Sequence, residues 1–534
     1  MAETLRASGR VSIAVATSRV LGLVRESIFA SLFGSGVVAD AYQVAYRIPN
    51  LLRDLFAEGA LSSAFLPTFT ASLVGEDKEA AYRLGNLALS GVLACTGVVV
   101  ALGTIFAESV VIAISDGFSG SSDAAYKIGL ATELTRIMMP LLSVVSLSAV
   151  WMGMLNAQKR FMAPAFAPAM FNLTSIAVGG GILLSGEQGR WAILAWGVGT
   201  LGSGLLQALV QLPALWRLGY RPWPRVGGIL HDPRIRRIAR LMGPAVFGLA
   251  AVQVNLFVNT RFAANLGDGP VSQLSYAFRL FYLPVGVFSV ALATITTVRV
   301  SEHAARGESG ALLESTAEGL RAVWMLMLGS TVGLLVLAQP VVEVIYQRGA
   351  FDSDAALRTA AVLTAYAVGL VPYGMVKILA PVFYGIDKAR VPVIASMVAV
   401  AVNLSFNAAT YRSLGAPGLA LGTSLGAIAN LIVLRIGLAR SVGALPWSGR
   451  HLLVLLGGNV VMGGLVWSLW RFAVAELLDA EVVPRWITLV VSLAVVITLG
   501  CLVYARFLAA WGYPDARVLS QLPATIWSRL RRRR

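Results

Sequence analysis

The chain has 534 residues, 57% of them hydrophobic and only 13% charged. Soluble domains carry about 25% charged residues, so a soluble globular protein is excluded and a polytopic membrane protein is expected. The formal net charge of +16 would suit nucleic acid, but the basic residues alternate from loop to loop between apolar runs, so no nucleic-acid partner is expected.

Runs long enough to cross a hydrocarbon core of about 30 Å recur about fourteen times. Their limits fall near 11–33, 37–72, 82–114, 127–155, 163–185, 190–216, 238–266, 270–299, 314–338, 355–384, 391–411, 417–439, 450–472 and 485–508. Arg6 and Arg10 precede the first run, no small-residue cleavage site follows it, and it contains Arg19 and Arg25. It therefore reads as a retained helix rather than a cleaved signal. Spans 2 and 10 are long, and Pro49, Pro67, Pro372 and Pro381 predict kinks in them, because proline removes a backbone donor.

The first two spans also carry Arg19, Arg25, Glu26, Asp40, Arg47, Arg53, Asp54 and Glu58. Each charge at bilayer depth costs roughly 2.5–3.5 kcal/mol on insertion scales, so such residues face a watery cavity or a partner. These spans should line a polar interior. The prominence of arginine there points to an anionic client.

Basic residues gather in the loops holding Lys78 and Arg83, Lys159 and Arg160, Arg299 and Arg306, Lys388 and Arg390, and Arg435 and Arg440. The densest loop runs over 217–240, and Arg529, Arg531, Arg532, Arg533 and Arg534 form a basic tail. The intervening loops, among them 34–36, 116–123, 352–354 and 476–481, are acidic or poor in Lys and Arg. This alternation puts both termini in the cytoplasm. Cys95 and Cys501 lie inside apolar runs, so no disulfide is expected. His231, His303 and His451 are scattered, and no metal centre is expected.

The chain repeats itself at an offset near 230. Ile28-Phe29-Ala30-Ser31-Leu32-Phe33-Gly34 ends span 1, and Arg261-Phe262-Ala263-Ala264-Asn265-Leu266-Gly267 ends span 7. Lys159-Arg160 with Pro164 opens span 5, and Lys388-Ala389-Arg390 with Pro392 opens span 11. The fold class is therefore all-α, with two parallel six-helix lobes around a central cavity and two further C-terminal helices. The lobes cover 1–216 and 238–441. A basic linker covers 217–237, and helices 13 and 14 with the tail cover 442–534. Paired lobes with a central site are a transporter architecture.

At about 1.5 Å of rise per residue, Arg19 lies roughly 12 Å and Arg25 roughly 21 Å into the membrane. Arg47 lies roughly 15 Å down from the other face, with Arg53 deeper still, and Arg279 on span 8 lies roughly 13 Å down. These arginines can converge on one volume, with Arg261 nearer the outer mouth. Arg19 and Glu26 are seven apart, and Asp40, Arg47 and Asp54 repeat that spacing, so some of these charges, Arg47, Asp54 and Glu58 among them, should be neutralised locally, whereas Arg25 and Arg53 are rotated away from those faces and stand freer. Guanidinium stays charged when desolvated and binds phosphate oxygens with a planar fork of donors. Several such forks around one cavity suit a pyrophosphate.

These residues resemble the MurJ (MviN) family of lipid II flippases. The matching segments are Ser18-Arg19-Val20-Leu21-Gly22 with Arg25, Asp40-Ala41, Pro49-Asn50-Leu51-Leu52-Arg53, Phe56-Ala57-Glu58-Gly59-Ala60 with Ala64-Phe65-Leu66-Pro67, Pro164-Ala165-Phe166-Ala167-Pro168, and Ala380-Pro381-Val382-Phe383-Tyr384. The resemblance implies a fourteen-helix transporter of the multidrug/oligosaccharidyl-lipid/polysaccharide exporter superfamily in the bacterial inner membrane. Its cargo would be lipid II, the undecaprenyl-pyrophosphate-linked peptidoglycan precursor, moved to the outer leaflet by alternating access. It implies substrate contacts for Arg19, Arg25, Arg53 and Arg279, with the helix 2 acid at Asp40, Glu26 keeping the charge where many relatives have Asp, and a groove for the lipid tail in spans 13 and 14; Arg261 joins the site by its depth. The working unit is expected to be a monomer among membrane lipids.

The resemblance further implies coupling to a monovalent cation or to the membrane potential. The matching ion positions are Thr260 (or Asn259), Asn403, Asn407 and Thr423. Asn403 and Asn407 share a helix face, but no carboxylate accompanies them, which weakens a sodium site. Interhelical hydrogen bonding is the other reading of these asparagines. A drug exporter, or an exporter of another lipid-linked oligosaccharide, is the alternative function; a drug exporter would be expected to carry a central carboxylate without the arginines. An enzyme is not expected, because glycosyl transfer needs acid–base or metal-binding carboxylates on a surface loop, and no loop here is long enough to house them.

Overall fold

The structure is a computed structural model that describes residues 2–54, 61–75, 77–223, 227, 229, 231–446, 449–479, 484–514 and 516, and their side chains except at 2–13, 15, 62, 63 and 243–252. Residues 56–60 with Glu58, Arg225, Glu481 and the five tail arginines lie outside the described residues. Among the described residues every regular element is helical, as the hydropathy pattern requires. Contacts group the chain into two units, Met1–Gln273 with Arg348–Ala355, and Leu274–Gln347 with Ala356–Arg534.

The first unit contains α1 (Ala2–Phe33), α2 (Val37–Arg53), α3 (Ser62–Gly75), α4 (Lys78–Ile105), α5 (Ala107–Ser115), α6 (Ala124–Met138), α7 (Leu141–Ala157), α8 (Met162–Ser185), α9 (Arg190–Leu209), α10 (Leu212–Arg217) and α11 (Pro233–Ala264). Aspartates start three of them. Asp77, Asp123 and Asp232 each accept a backbone N–H from the first turn of α4, α6 and α11, satisfying donors that helix geometry leaves without partners. α1 packs on α8, α8 on α9, α2 on α6 and α4 on α7. Lipid tails are as apolar as leucine, so close approach and polar links hold such helices together. Gly179 of α8 leaves room for Ile28 and Trp196, either of which a Cβ would meet within 2.7 Å. Ser175 and Ser203 are hydrogen-bonded at 2.8 Å, and Asn172 Nδ2 donates to the Ser18 carbonyl at 2.9 Å. Phe65, Phe69, Trp151, Met154 and Tyr220 fill the core between α3, α4 and α7.

The second unit takes α12 (Pro270–Pro284) from Leu274 onward. It continues through a π-helical turn, Val285–Ser289, into α13 (Val290–Ala305), then α14 (Ser309–Tyr346), α15 (Ser353–Ala367), α16 (Leu370–Gly385) and α17 (Arg390–Ser441). α18 (Gly449–Ser468), a second π-helical turn (Leu469–Val474), α19 (Ala475–Asp479) and α20 (Arg485–Ala510) complete it. α17 is two arms, not one rod. Gly415 has φ 60° and ψ −149°, a conformation open to glycine and strained for other residues. The arms fold back on each other, so that Asn403 meets Thr423 and a Cβ on Gly426 would lie 2.9 Å from the Ala399 carbonyl. α18 and α20 pack on α14. There the Tyr504 hydroxyl donates to the Met325 carbonyl at 2.9 Å and accepts from Asn459 at 3.1 Å.

Nine helical stretches among the described residues are long and apolar enough to cross a membrane, ten if α15 and α16 form one span bent by 45°. The all-α, multi-pass architecture is present. The measure is met by fewer stretches than the fourteen expected runs because α17 counts once for its two arms, because α2 is 17 residues long, and because only described residues enter it, which leaves out the side chains of 243–252 in α11. The α15–α16 bend sits just before Pro372, which has no N–H to give the Val368 carbonyl. Pro381 sits inside α16, and Pro49 inside α2.

Candidate functional site

Charge on α1 and α2 is arranged differently from the expected i, i+7 pairing. Arg25 Nη2 pairs with Glu26 at 2.6 Å, and Arg53 holds Asp54 through Nε at 3.2 Å and Nη2 at 2.8 Å. Arg47, expected to be neutralised within the i, i+7 set, donates to the Thr260 hydroxyl. Seven residues span roughly 10 Å of helix rise, beyond the reach of a direct ion pair, whereas a guanidinium can bend back to its sequence neighbour. The two arginines expected to stand freer are thus the ones held by an adjacent acid. The Arg25 guanidinium also lies 5.4 Å from the centroid of the Phe171 ring on α8, a cation–π contact that steadies it. Arg19 is half-buried and makes no ion pair or hydrogen bond among the described residues. Arg279 is half-buried on α12 in the second unit, beside Phe278, whose ring packs on Phe281, Tyr282 and Tyr366.

Asp40 lies at the other end of α2 and is fully buried. Its Oδ2 accepts from Lys127 Nζ at 3.0 Å and from the Gly269 N–H at 2.8 Å, and its Oδ1 accepts from the Ser272 N–H at 2.8 Å. The carboxylate therefore caps the start of α12, where unpaired N–H groups and the helix dipole favour negative charge. Lys127 on α6 is also fully buried. Its ammonium reaches Asp268 at 2.9 Å and lies 4.6 Å from the Phe118 ring centroid. Asp268 accepts further from Ser121 at 2.6 Å and Ser122 at 2.8 Å. Partial burial alone would push the Asp268 carboxyl up. Hydrogen bonds from Ser121, Lys127 and Ser122 outweigh that and hold it well below the ordinary carboxylate range. Beside this clasp, Arg261 pairs with Asp116 and donates to the Ala113 carbonyl at 2.9 Å, while Asn265 donates to the second Asp116 oxygen at 2.9 Å.

Sequence reasoning did not single out Lys127. A signal was present, because it is a lysine beside a loop otherwise poor in basic residues and so breaks the charge alternation. Asp116 had been seen only as part of an acidic loop, not as the partner of Arg261.

The residues expected around an ion divide between the units. Thr260 is buried in the first unit, where its hydroxyl accepts from Arg47 and donates to the Leu256 carbonyl at 2.7 Å. Both roles of that hydroxyl are taken, and a guanidinium is its neighbour. Asn403, Asn407 and Thr423 belong to the two arms of α17, with Asn403 Nδ2 3.4 Å from Thr423 Oγ1. Among the described residues no group of three His, Cys, Asp or Glu side chains is placed to hold a metal ion.

A family profile described as lipid II flippase MurJ matches residues 29–487. The chain is 35% identical over 455 residues to the lipid II flippase MurJ of Burkholderia cenocepacia, covering 84% of this chain and 87% of that one. It is 33% identical over 470 residues to the probable lipid II flippase MurJ of Vibrio cholerae, covering 86% and 88%. Among solved structures, a lipid II flippase MurJ in an inward closed conformation aligns with a TM-score of 0.77 at 24% identity, over 94% of this chain and 98% of that one. An inward-facing multidrug resistance transporter of the MATE family aligns with a TM-score of 0.60 at 16% identity, over 82% and 94%. These two structural matches speak to the fold.

Proposed function

The chain belongs to the MurJ family of lipid II flippases, transporters rather than enzymes, and we propose that it carries lipid II from the cytoplasmic to the outer leaflet of the bacterial inner membrane by alternating access. The protein is a multi-pass membrane protein, and its place is in peptidoglycan biosynthesis.

The observation that carries the mechanism is the set of guanidinium groups on α1 and α2. Arg19, Arg25, Arg47 and Arg53 lie on these helices, with Arg25 held by Glu26 and Arg53 by Asp54, while Asp40 is taken up by Lys127. Guanidinium forks steadied by a neighbouring acid suit the anionic oxygens of a pyrophosphate diester. In this reading Arg19, Arg25 and Arg53 take the pyrophosphate, and Glu26 orients Arg25. The basic loops assign the termini to the cytoplasm, so loops 34–36, 116–123 and 265–269 face outward. The Asp40–Lys127–Asp268 clasp and the Arg261–Asp116 pair then close the outer end of the first unit during loading, and delivery requires that they part. α18 and α20 take the lipid tail, and one chain suffices for the cycle.

The test is transfer of fluorescent lipid II by the full chain in vesicles, read by leaflet accessibility. A charge-assisted hydrogen bond is worth about 1.5–3 kcal/mol. Arg25→Ala and Arg53→Ala should therefore each slow transfer by about ten- to a hundredfold. Normal transfer by both folded variants overturns the arginine mechanism. In the same vesicles, a loss on replacing sodium by potassium assigns coupling to the α17 amides Asn403 and Asn407 with Thr423. A loss only on collapsing the membrane potential assigns it to voltage.

A further inference from the structure

The second unit contains a cavity of about 230 Å³ between the end of α14 and the π-helical turn after α18, lined by Gln339, Pro340, Glu343, Trp467, Trp470 and Arg471. Two backbone irregularities build it. α14 breaks at Leu337, with φ −107° and ψ 16°, three residues before Pro340. That proline has no N–H for the carbonyl of Val336, a residue that also lines the cavity. On the facing wall, Leu469–Val474 is π-helical. The wider winding turns Trp470 and Arg471 toward the cavity, and π-helical turns of this kind recur at functional sites.

The charges lining this space do not neutralise each other. Among the described residues the Glu343 carboxylate is bonded only to Gln339 Nε2, at 2.8 Å. Arg471 makes no ion pair or hydrogen bond with any described residue, Glu343 included. A carboxylate and a guanidinium facing one small volume without touching leave room for a ligand that carries both signs. The acceptor side is the Glu343 carboxylate with the Gln339 side-chain oxygen, which can take the N–H groups of a primary ammonium. The donor side is a guanidinium fork, which matches phosphate. The aromatic rings fix the depth. Trp467 is exposed and meets Phe472 edge to face at 6.0 Å, and Trp486 is exposed nearby in sequence. Such rings gather at the level of lipid head groups.

We infer that this cavity binds a phosphate ester bearing a primary ammonium, with Arg471 on the phosphate and Glu343 on the ammonium. At about 230 Å³ the cavity is far larger than the roughly 10–15 Å³ that admits one water and has room for a group such as phosphoethanolamine. Two sources share this chemistry, an ethanolamine phospholipid of the leaflet at this depth and a water-soluble ethanolamine ester. On the orientation proposed above the leaflet is the outer one, and the binding itself is independent of lipid II.

The test is native mass spectrometry of the full chain in detergent, titrated with phosphatidylethanolamine, phosphatidylglycerol or glycerophosphoethanolamine. The parent should retain phosphatidylethanolamine about tenfold more tightly than phosphatidylglycerol, as expected for one charge-assisted contact. Glu343→Gln, nearly isosteric, should erase that preference and leave phosphatidylglycerol binding unchanged. Arg471→Gln should weaken both. Retention of the lipid alone assigns the site to the leaflet. Equal, Glu343-dependent retention of the soluble ester assigns it to a free ester. Equal retention of the two lipids by the parent, or an undiminished preference in Glu343→Gln, overturns the proposal, because Arg471 then only extends its charge toward the head-group layer. Lipid II transfer is measured separately. Its absence with the ethanolamine preference intact counts against the flippase mechanism alone.

Discussion

Lys127→Met removes a fully buried ammonium and leaves Asp40, equally buried, with only the N–H groups of Gly269 and Ser272. Taking one partner from a buried ion pair costs about 3–5 kcal/mol. The two retained N–H bonds, and the serine contacts that Asp268 keeps, place the cost near the lower end, about 3 kcal/mol. At about 2 °C per kcal/mol for a unit of this size, the melting temperature should fall by about 6 °C. The assay is thermal unfolding of the purified chain in detergent, followed by tryptophan fluorescence. Adding Asp40→Asn removes the stranded charge, so the double variant should lose less than the sum of the two single losses, by at least about 1 kcal/mol. A Lys127→Met protein that melts within about 1 °C of the parent, or strict additivity with Asp40→Asn, would refute the account of the clasp.

Asp268 gives the clasp a pH dependence. Its carboxyl is held below its unfolded value of about 3.9, so its contribution to stability is present above that pH and is lost as pH falls through the folded value. Melting curves of the parent should drop more steeply below about pH 4 than those of Asp268→Asn, and parallel curves would contradict this. Tyr504→Phe should cost about 1–3 kcal/mol, because it removes two buried hydrogen bonds at once, the one to the Met325 carbonyl and the one from the Asn459 amide, which keeps its bond to the Leu455 carbonyl. The loss is read as a lower melting temperature at unchanged helix content by circular dichroism.

Hydropathy exposed the helices well because bilayer thickness imposes run length directly, and the same pattern made Arg19, Arg25 and Arg53 stand out as misfits. Proline positions signalled bends, since the lost N–H acts on a carbonyl four residues earlier, as before Pro372. Partner choice was less legible. Helix spacing says which residues share a face, but long side chains reach sideways, so Arg53 holds Asp54 and Arg47 crosses to Thr260. Contacts between segments distant in sequence leave no periodicity to read. The Asp40–Ser272 bond joins residues 232 apart in sequence, and Arg261 finds Asp116 at a separation of 145 residues. The hairpin in α17 rests on one glycine dihedral, which composition alone does not display.

The burial of Lys127 gives the protein a built-in chemical clock. Lys78, Lys159 and Lys388 are exposed to solvent, while the Lys127 amine has no accessible surface. An amine-acylating reagent should modify the exposed three within its ordinary reaction time and reach Lys127 only in moments when Asp40 and Asp268 let go. The acylation rate at this one lysine would therefore count excursions from the closed arrangement, with no engineered label and with the other amines in the same sample as the timebase.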